Sequence, residues 1–184
     1  MRRSARFVWC FLAAALVCSC SEEPARKVVV GGEKQIADEV FTDFVTQESD
    51  SGFAQWKLTA PKASRFKEKK TVFLDNPRID FFDKMGNLKT TLISDAGEYS
   101  EESKNMLAIG NVVVRSVDGD VLETDSLVWM YKRDLIVTEA FVTLTRGRDV
   151  ITGYGLECDP KLDLVDIKRD VKAVIIDDEG NLGE

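Results

Sequence analysis

The sequence predicts an all-β protein, an antiparallel β-jelly-roll or β-taco made of stacked two-strand repeats. Apolar β-branched and aromatic residues alternate with charged ones, as in "RIDFFD" (78–83) and "NVVVRS" (111–116). This two-residue period is typical of strands with one buried face. Clusters of Gly, Asp and Asn, such as "DKMGN" and "TRGRD", separate the runs and indicate tight turns.

A fourfold internal repeat gives the order of the predicted strands. The segments "LTAPKA", "LISDAG", "LETDSL" and "ITGYGL" begin at Leu58, Leu92, Leu122 and Ile151, and a second apolar element follows each after 20 or 21 residues. Such two-strand units bury their apolar faces only by stacking on one another. Alternation in the second elements predicts an inward face of Ile79, Phe81, Val112, Val114, Val142, Leu144, Val171 and Ala173.

The N-terminal residues 1–19 are predicted to be a lipoprotein signal peptide. Three arginines precede an apolar run over 7–17, which has the length of a signal-peptide core and is shorter than the roughly 20 residues of a membrane span. The following "VCSC" resembles a lipobox, so Cys20 is the expected lipidation site, with the acyl chains as a membrane anchor. The alternative is ordinary cleavage of a secreted protein in which Cys20 is a chance cysteine.

The remaining chain divides by composition into a tether, one domain and a tail. Residues 20–39 are polar and predict a flexible tether, residues 40–176 contain the repeats, and residues 177–184 form a polar tail. The stretch "KQIADEVFTDFV" at 34–45 fits either a helical turn at its start or the first strand.

Composition excludes several classes of function. The 184 residues carry a net charge of −7 and no histidine, which disfavours nucleic-acid binding and removes His-based catalysis and His-ligated zinc. No motif of a catalytic or cofactor site is present, so we expect neither an enzyme nor a cofactor. Cys158 is the one cysteine outside the N-terminal region, and we expect a small buried apolar residue there.

The segments "WKLTAPKA", "LDNPRIDFFDKMG" and "VKAVI", in this order, are similar to the LptC family of periplasmic lipopolysaccharide export. LptA and the periplasmic domain of LptD share the same OstA-like repeat. The resemblance covers roughly Val40 to Ile176. It implies a jelly-roll that is open along one side, whose groove holds the acyl chains of lipopolysaccharide. It also implies docking of one sheet edge to the LptB/LptF/LptG ABC transporter and of the other edge to an LptA-like bridge protein.

The resemblance and the alternation together give two sets of site residues. The predicted acyl-chain groove comprises Phe73, Ile79, Phe81, Val112, Val114, Val142 and Leu144. The predicted edge for the LptA-like partner comprises Val171, Ala173, Val174, Ile175 and Ile176, because no further repeat covers this strand. The expected location is the periplasmic face of the inner membrane, through the lipid anchor. The alternative is a structural outer-membrane lipoprotein in which the same repeats form a closed scaffold.

Overall fold

The computed structural model describes residues 28–30, 33–176 and 182–183, and within these ranges the protein is all-β and contains no α-helix. The all-β prediction is therefore confirmed. A single 3-10 turn, Tyr131–Arg133, is the one helical element of the described ranges. The strands are β1 (Val28–Val30), β2 (Glu33–Gln35), β3 (Glu39–Asp50), β4 (Phe53–Phe66), β5 (Thr71–Asp75), β6 (Arg78–Phe82), β7 (Leu88–Ile93), β8 (Ala96–Ser100), β9 (Met106–Ser116), β10 (Val121–Met130), β11 (Leu135–Arg146), β12 (Asp149–Cys158), β13 (Val165–Ile176) and β14 (Leu182–Gly183).

The chain divides into two units, Met1–Ile36 and Ala37–Glu184. In the first unit the structure describes a small antiparallel hairpin of β1 and β2. The signal peptide and the lipidation site predicted at Cys20 lie outside the described residues. In the second unit the ambiguous segment before the first repeat forms a strand from Glu39 onward.

Twelve strands of the second unit form one antiparallel sheet. β3 pairs with β4, and the sheet then continues through β5 and β6, β7 and β8, and β9 to β13. β5 and β6 are the two halves of one strand path, interrupted at Asn76 and Pro77, since proline cannot donate to the ladder. β7 and β8 are likewise two halves on either side of Ser94 and Asp95.

The strand register explains the sequence repeat. The first residue of each repeated segment pairs across to the second element, as in Leu58 with Ile79 and Leu122 with Leu144. Ile151 pairs with Ala173 in the last copy. The nearly constant spacing is therefore the length of chain needed to leave one strand, turn and return beside it.

The sheet bends across its strands, so that each long strand contributes to two layers. Register shifts mark the bend between Thr124 and Ser126 in β10, and between Thr138 and Phe141 in β11. We call the halves next to the turns at 51–52, 83–87, 117–120 and 147–148 the first layer. The halves next to the turns at 67–70, 101–105, 131–134 and 159–164 are the second layer.

The core lies between the two layers. Trp129 of the second layer contacts Trp56 and Phe81 of the first, with ring centroids 5.5 and 5.0 Å apart. Strand β10, which carries Trp129, is a neighbour of neither β4 nor β6 in the sheet, so the inner faces of the layers pack on each other. The largest fully buried side chains are Leu58, Leu74, Ile79, Leu92, Met106, Leu122, Leu127, Ile136, Leu144, Leu156, Leu162 and Val112.

Candidate functional site

Six of the seven residues predicted for the groove share one wall of the interior. Ile79, Phe81, Val112, Val114, Val142 and Leu144 all lie on the inner face of the first layer, and none is more than 4% exposed. The packed second layer covers them, so the interior in this structure is filled by side chains. An opening into the interior is therefore to be sought at the edge of the folded sheet, between the two rows of turns.

Phe73 lies on the other face, which corrects its inward assignment. Its neighbours Val72 and Leu74 are buried in the core, whereas Phe73 is half-buried and contacts Phe66 at 5.4 Å between ring centroids. The break at Asn76 and Pro77 shifts the alternation by one residue. The odd-numbered inward positions of β6 therefore do not continue into β5.

The second wall was missed by sequence reasoning. It includes Leu127, Trp129, Ile136 and Leu156, all at most 2% exposed. Each position follows the same two-residue alternation within its own half-strand. In β10 the inward positions change from even-numbered Leu122 to odd-numbered Leu127 across the bend. Treating the two halves separately would have identified this wall.

A cleft of about 690 Å³ separates the two rows of turns along the open side of the folded sheet. Trp56, Phe81 and Trp129 contribute aromatic rings to it. Its rim carries both signs of charge, including Lys84 from the first layer and Asp159 from the second. An apolar floor with a polar rim suits an amphiphile whose apolar part enters first.

Glu48, Lys104 and Tyr131 close one end of the cleft, and we call these three residues the clasp. The Tyr131 hydroxyl donates a hydrogen bond to the Glu48 carboxylate, and Lys104 Nζ donates to the same carboxylate at 3.2 Å. Lys104 Nζ also lies 4.6 Å from the Tyr131 ring centroid. The hydrogen bond from Tyr131, with that from Lys104, holds the pKa of Glu48 below its usual value. The clasp joins edge strand β3 of the first layer to turns of the second.

A second contact joins the rows of turns nearer the C-terminal end of the sheet. Arg146 of the first layer donates to the backbone oxygen of Leu162 at 2.8 Å and to Asp120 at 2.7 Å. The Leu162 side chain is 1% exposed and belongs to the core. The 159–164 turn is therefore fixed over the interior.

Both end strands of the sheet expose apolar side chains. On β3 these include Val40 and Val45, and on β13 they are Val171, Val174 and Ile175. Strand β14 pairs with β13 through the partners Ile175–Gly183 and Ile176–Leu182, and Ala173 pairs with Ile151 of β12. The inward assignment of Val171 and Ala173 is wrong, because both side chains are exposed on this terminal strand. The rest of the outer edge of the predicted docking strand has no pairing in the described residues.

The described residues provide neither a metal-binding cluster nor a reactive thiol. No group of three or more potential metal-ligating side chains occurs among them. Cys158 is buried, and this burial, with a smaller effect of Asp159, raises the pKa of its thiol to about 12. Across the same ranges, no helix is long and apolar enough to cross a membrane.

Comparisons with known proteins give the family. The family model described as "Lipopolysaccharide-assembly, LptC-related" matches residues 8–176. A comparison with curated proteins finds no significant match. Among solved structures, the fold is similar to that of LptH, the LptA-homologous periplasmic component of the lipopolysaccharide transport device of Pseudomonas aeruginosa. That similarity has a TM-score of 0.50 and 9% identity, and covers 65% of this chain and 94% of LptH. The chain therefore belongs to the LptC-related family of lipopolysaccharide-assembly proteins.

Proposed function

We propose that the chain binds lipopolysaccharide by its acyl chains and passes it from the inner-membrane LptB/LptF/LptG transporter to an LptA-like bridge protein. The role is one of binding and transfer, without a catalytic step. The observation that carries this proposal is the cleft on the open side of the folded sheet, whose aromatic floor continues into the apolar interior.

Acyl chains would enter through this cleft and spread the two layers. Phe81 belongs both to the cleft and to the wall formed by Ile79, Val114, Val142 and Leu144, so the floor and the interior are continuous. The interior is apolar, and each buried methylene of an acyl chain is worth about 0.8 kcal/mol. This gain offsets the cost of parting side chains that are in contact in the closed structure.

The two end strands are the proposed docking edges. An uncovered strand edge accepts a further strand from another protein. Val171, Ala173, Val174, Ile175 and Ile176 of β13 form the edge for the LptA-like partner, which must displace β14 from Ile175 and Ile176. The β3 edge then meets the transporter.

Lipidation at Cys20 is the proposed means of attachment to the periplasmic face of the inner membrane. More than one acyl chain on one cysteine gives stable anchoring, which a single chain does not. Replacement of Cys20 by alanine is expected to leave an unprocessed or non-acylated form. Normal processing and membrane retention of that variant would contradict the anchor.

A structural outer-membrane lipoprotein is the second candidate, and the closely packed interior favours it. Affinity purification of the full chain from detergent extracts, followed by mass spectrometry, separates the two functions. Recovery of lipopolysaccharide together with the transporter and an LptA-like protein supports the first. Recovery of outer-membrane or cell-wall proteins alone supports the second and contradicts the first.

A further inference from the structure

The floor of the cleft carries two buried polar groups that the fold itself does not use. The indole nitrogens of Trp56 and Trp129 are inaccessible to solvent and donate no hydrogen bond to any acceptor in the described part of the chain. The two side chains are 5% and 2% exposed. Buried indole N–H groups in proteins usually have a partner, because leaving such a donor unpaired is unfavourable.

Both indoles lie on the wall of the same cleft, one from each layer. They contact each other edge to face at 5.5 Å between centroids, so both belong to one small region of the floor. The Trp56 N–H lies near the Glu48 carboxylate, although the two do not form a hydrogen bond. Glu48 is itself occupied by Tyr131 and Lys104.

The surroundings limit what a partner for these donors can be. The aromatic rings next to the N–H groups accept apolar groups, and the rim accepts polar ones. A matching ligand has an acceptor oxygen between a hydrocarbon chain and a polar head. The carbonyl oxygen of a fatty acyl ester or amide on a sugar has this arrangement.

We propose that the Trp129 indole N–H, assisted by that of Trp56, binds the carbonyl oxygen at the head of an acyl chain, and so selects acylated sugars over other amphiphiles. This inference rests on the proposed function and deepens it. It assigns the point at which the ligand is held while its chain lies in the interior. An N–H donor that gains an acceptor on binding discriminates between ligands with and without that acceptor.

Two amphiphiles with disaccharide heads and chains of equal length test the proposal. Dodecanoyl sucrose has an ester carbonyl, whereas dodecyl maltoside has in its place a glycosidic ether oxygen and no carbonyl. Binding to the purified full chain is measured by isothermal titration calorimetry below the critical micelle concentration of each. We expect the ester to bind about tenfold more tightly than the ether, as one buried hydrogen bond provides.

Substitution of Trp129 by phenylalanine keeps an aromatic ring and removes the donor. The variant is expected to lose the preference for the ester while its affinity for the ether changes little. Trp56→Phe is the second variant, with a smaller expected loss. Phe81→Leu is the control, because Phe81 has no donor and its replacement should weaken both ligands alike.

The preference of the parent protein is informative even where a variant folds poorly. Equal affinity for ester and ether in the parent protein overturns the inference, as does an undiminished preference in folded Trp129→Phe. Both of these outcomes leave lipid binding, and thus the proposed function, intact. Binding of neither amphiphile contradicts the proposed function as well.

Discussion

Gly153 lies at a point where strands β12 and β13 are in close contact. A Cβ atom at this position would stand 2.6 Å from Ile167 Cγ2 and 2.8 Å from the backbone oxygen of Arg169. The backbone oxygen cannot move without disturbing the ladder between the strands. Gly153 is the third residue of the last repeated segment, "ITGYGL", and this close approach gives a packing reason for glycine there.

Replacement of Gly153 by alanine is expected to lower the free energy of unfolding by about 1–3 kcal/mol, the usual cost of overpacking. Chemical denaturation measures it, with Thr152→Ala in the same strand as the control. An unchanged stability would mean that the two strands are further apart than the structure places them.

The Cys158 thiol is expected to be unreactive in the folded protein. Since burial raises its pKa to about 12, almost no thiolate is present near neutral pH. Maleimide labelling followed by peptide mass mapping should detect modification of Cys158 only after unfolding. Rapid labelling of the native protein at this residue would contradict its burial.

Phe73 and Phe81 illustrate how far single residues are predictable. Alternation within one unbroken strand identified Phe81 and its five companions as inward-facing, because strand geometry fixes the period at two residues. Phe73 precedes the break at Asn76 and Pro77. The sequence does not show whether the inward positions after such a break are odd- or even-numbered relative to those before it. Trp129 was missed for the same reason, since the bend in β10 lies before it.

At the scale of elements, the clasp joins edge strand β3 to the turn after β10 and to the turn between β8 and β9. Its stabilising effect depends on an ionised Glu48. The folded-state pKa of Glu48 is lowered, first of all by the hydrogen bond from Tyr131. Its contribution to stability is therefore complete above the ordinary value of 4.5 and is lost as the pH falls through the lowered folded-state value.

Glu48→Gln is accordingly expected to lower the melting temperature at neutral pH, and the difference from the parent protein should disappear in acid. Glu123→Gln is a matched control, because Glu123 is exposed and makes no hydrogen bond or ion pair within the described ranges. A difference that persists unchanged into acid would show that the Glu48 carboxylate charge does not stabilise the clasp.

The two end strands offer a paired test of docking. Val174 on β13 and Val45 on β3 are both exposed, at 46% and 56%. Proline removes a backbone donor and obstructs the addition of a strand. Val174→Pro is expected to abolish co-purification of the LptA-like partner, whereas Val45→Pro should retain it.

Both proline variants need to keep the circular dichroism spectrum of the parent protein. The reverse result, with partner binding lost in Val45→Pro and kept in Val174→Pro, would show that the bridge runs in the opposite direction. The exposed edge of β13 was predictable because the repeat ends there. Its partial cover by β14 was not, since "NLGE" lacks the alternation that predicts a strand.

At the scale of the molecule, two contacts hold the open side of the sheet together. The clasp lies at one end, and the hydrogen bond from Arg146 to Leu162 lies nearer the other. The cleft with its aromatic floor lies between them. The repeat predicted a folded antiparallel sheet, but the contacts that close it come from turns, whose conformations the strand period does not determine.

The central claim is that lipid enters the interior through this cleft, and site-specific photo-crosslinking in cells tests it most directly. A benzophenone side chain replaces either Phe82, which is half-buried in the cleft, or Ile93, which is exposed on the outer face of the first layer. Phe82 is expected to capture lipopolysaccharide and Ile93 is not. Equal capture at both positions, or capture at Ile93 alone, would contradict the claim.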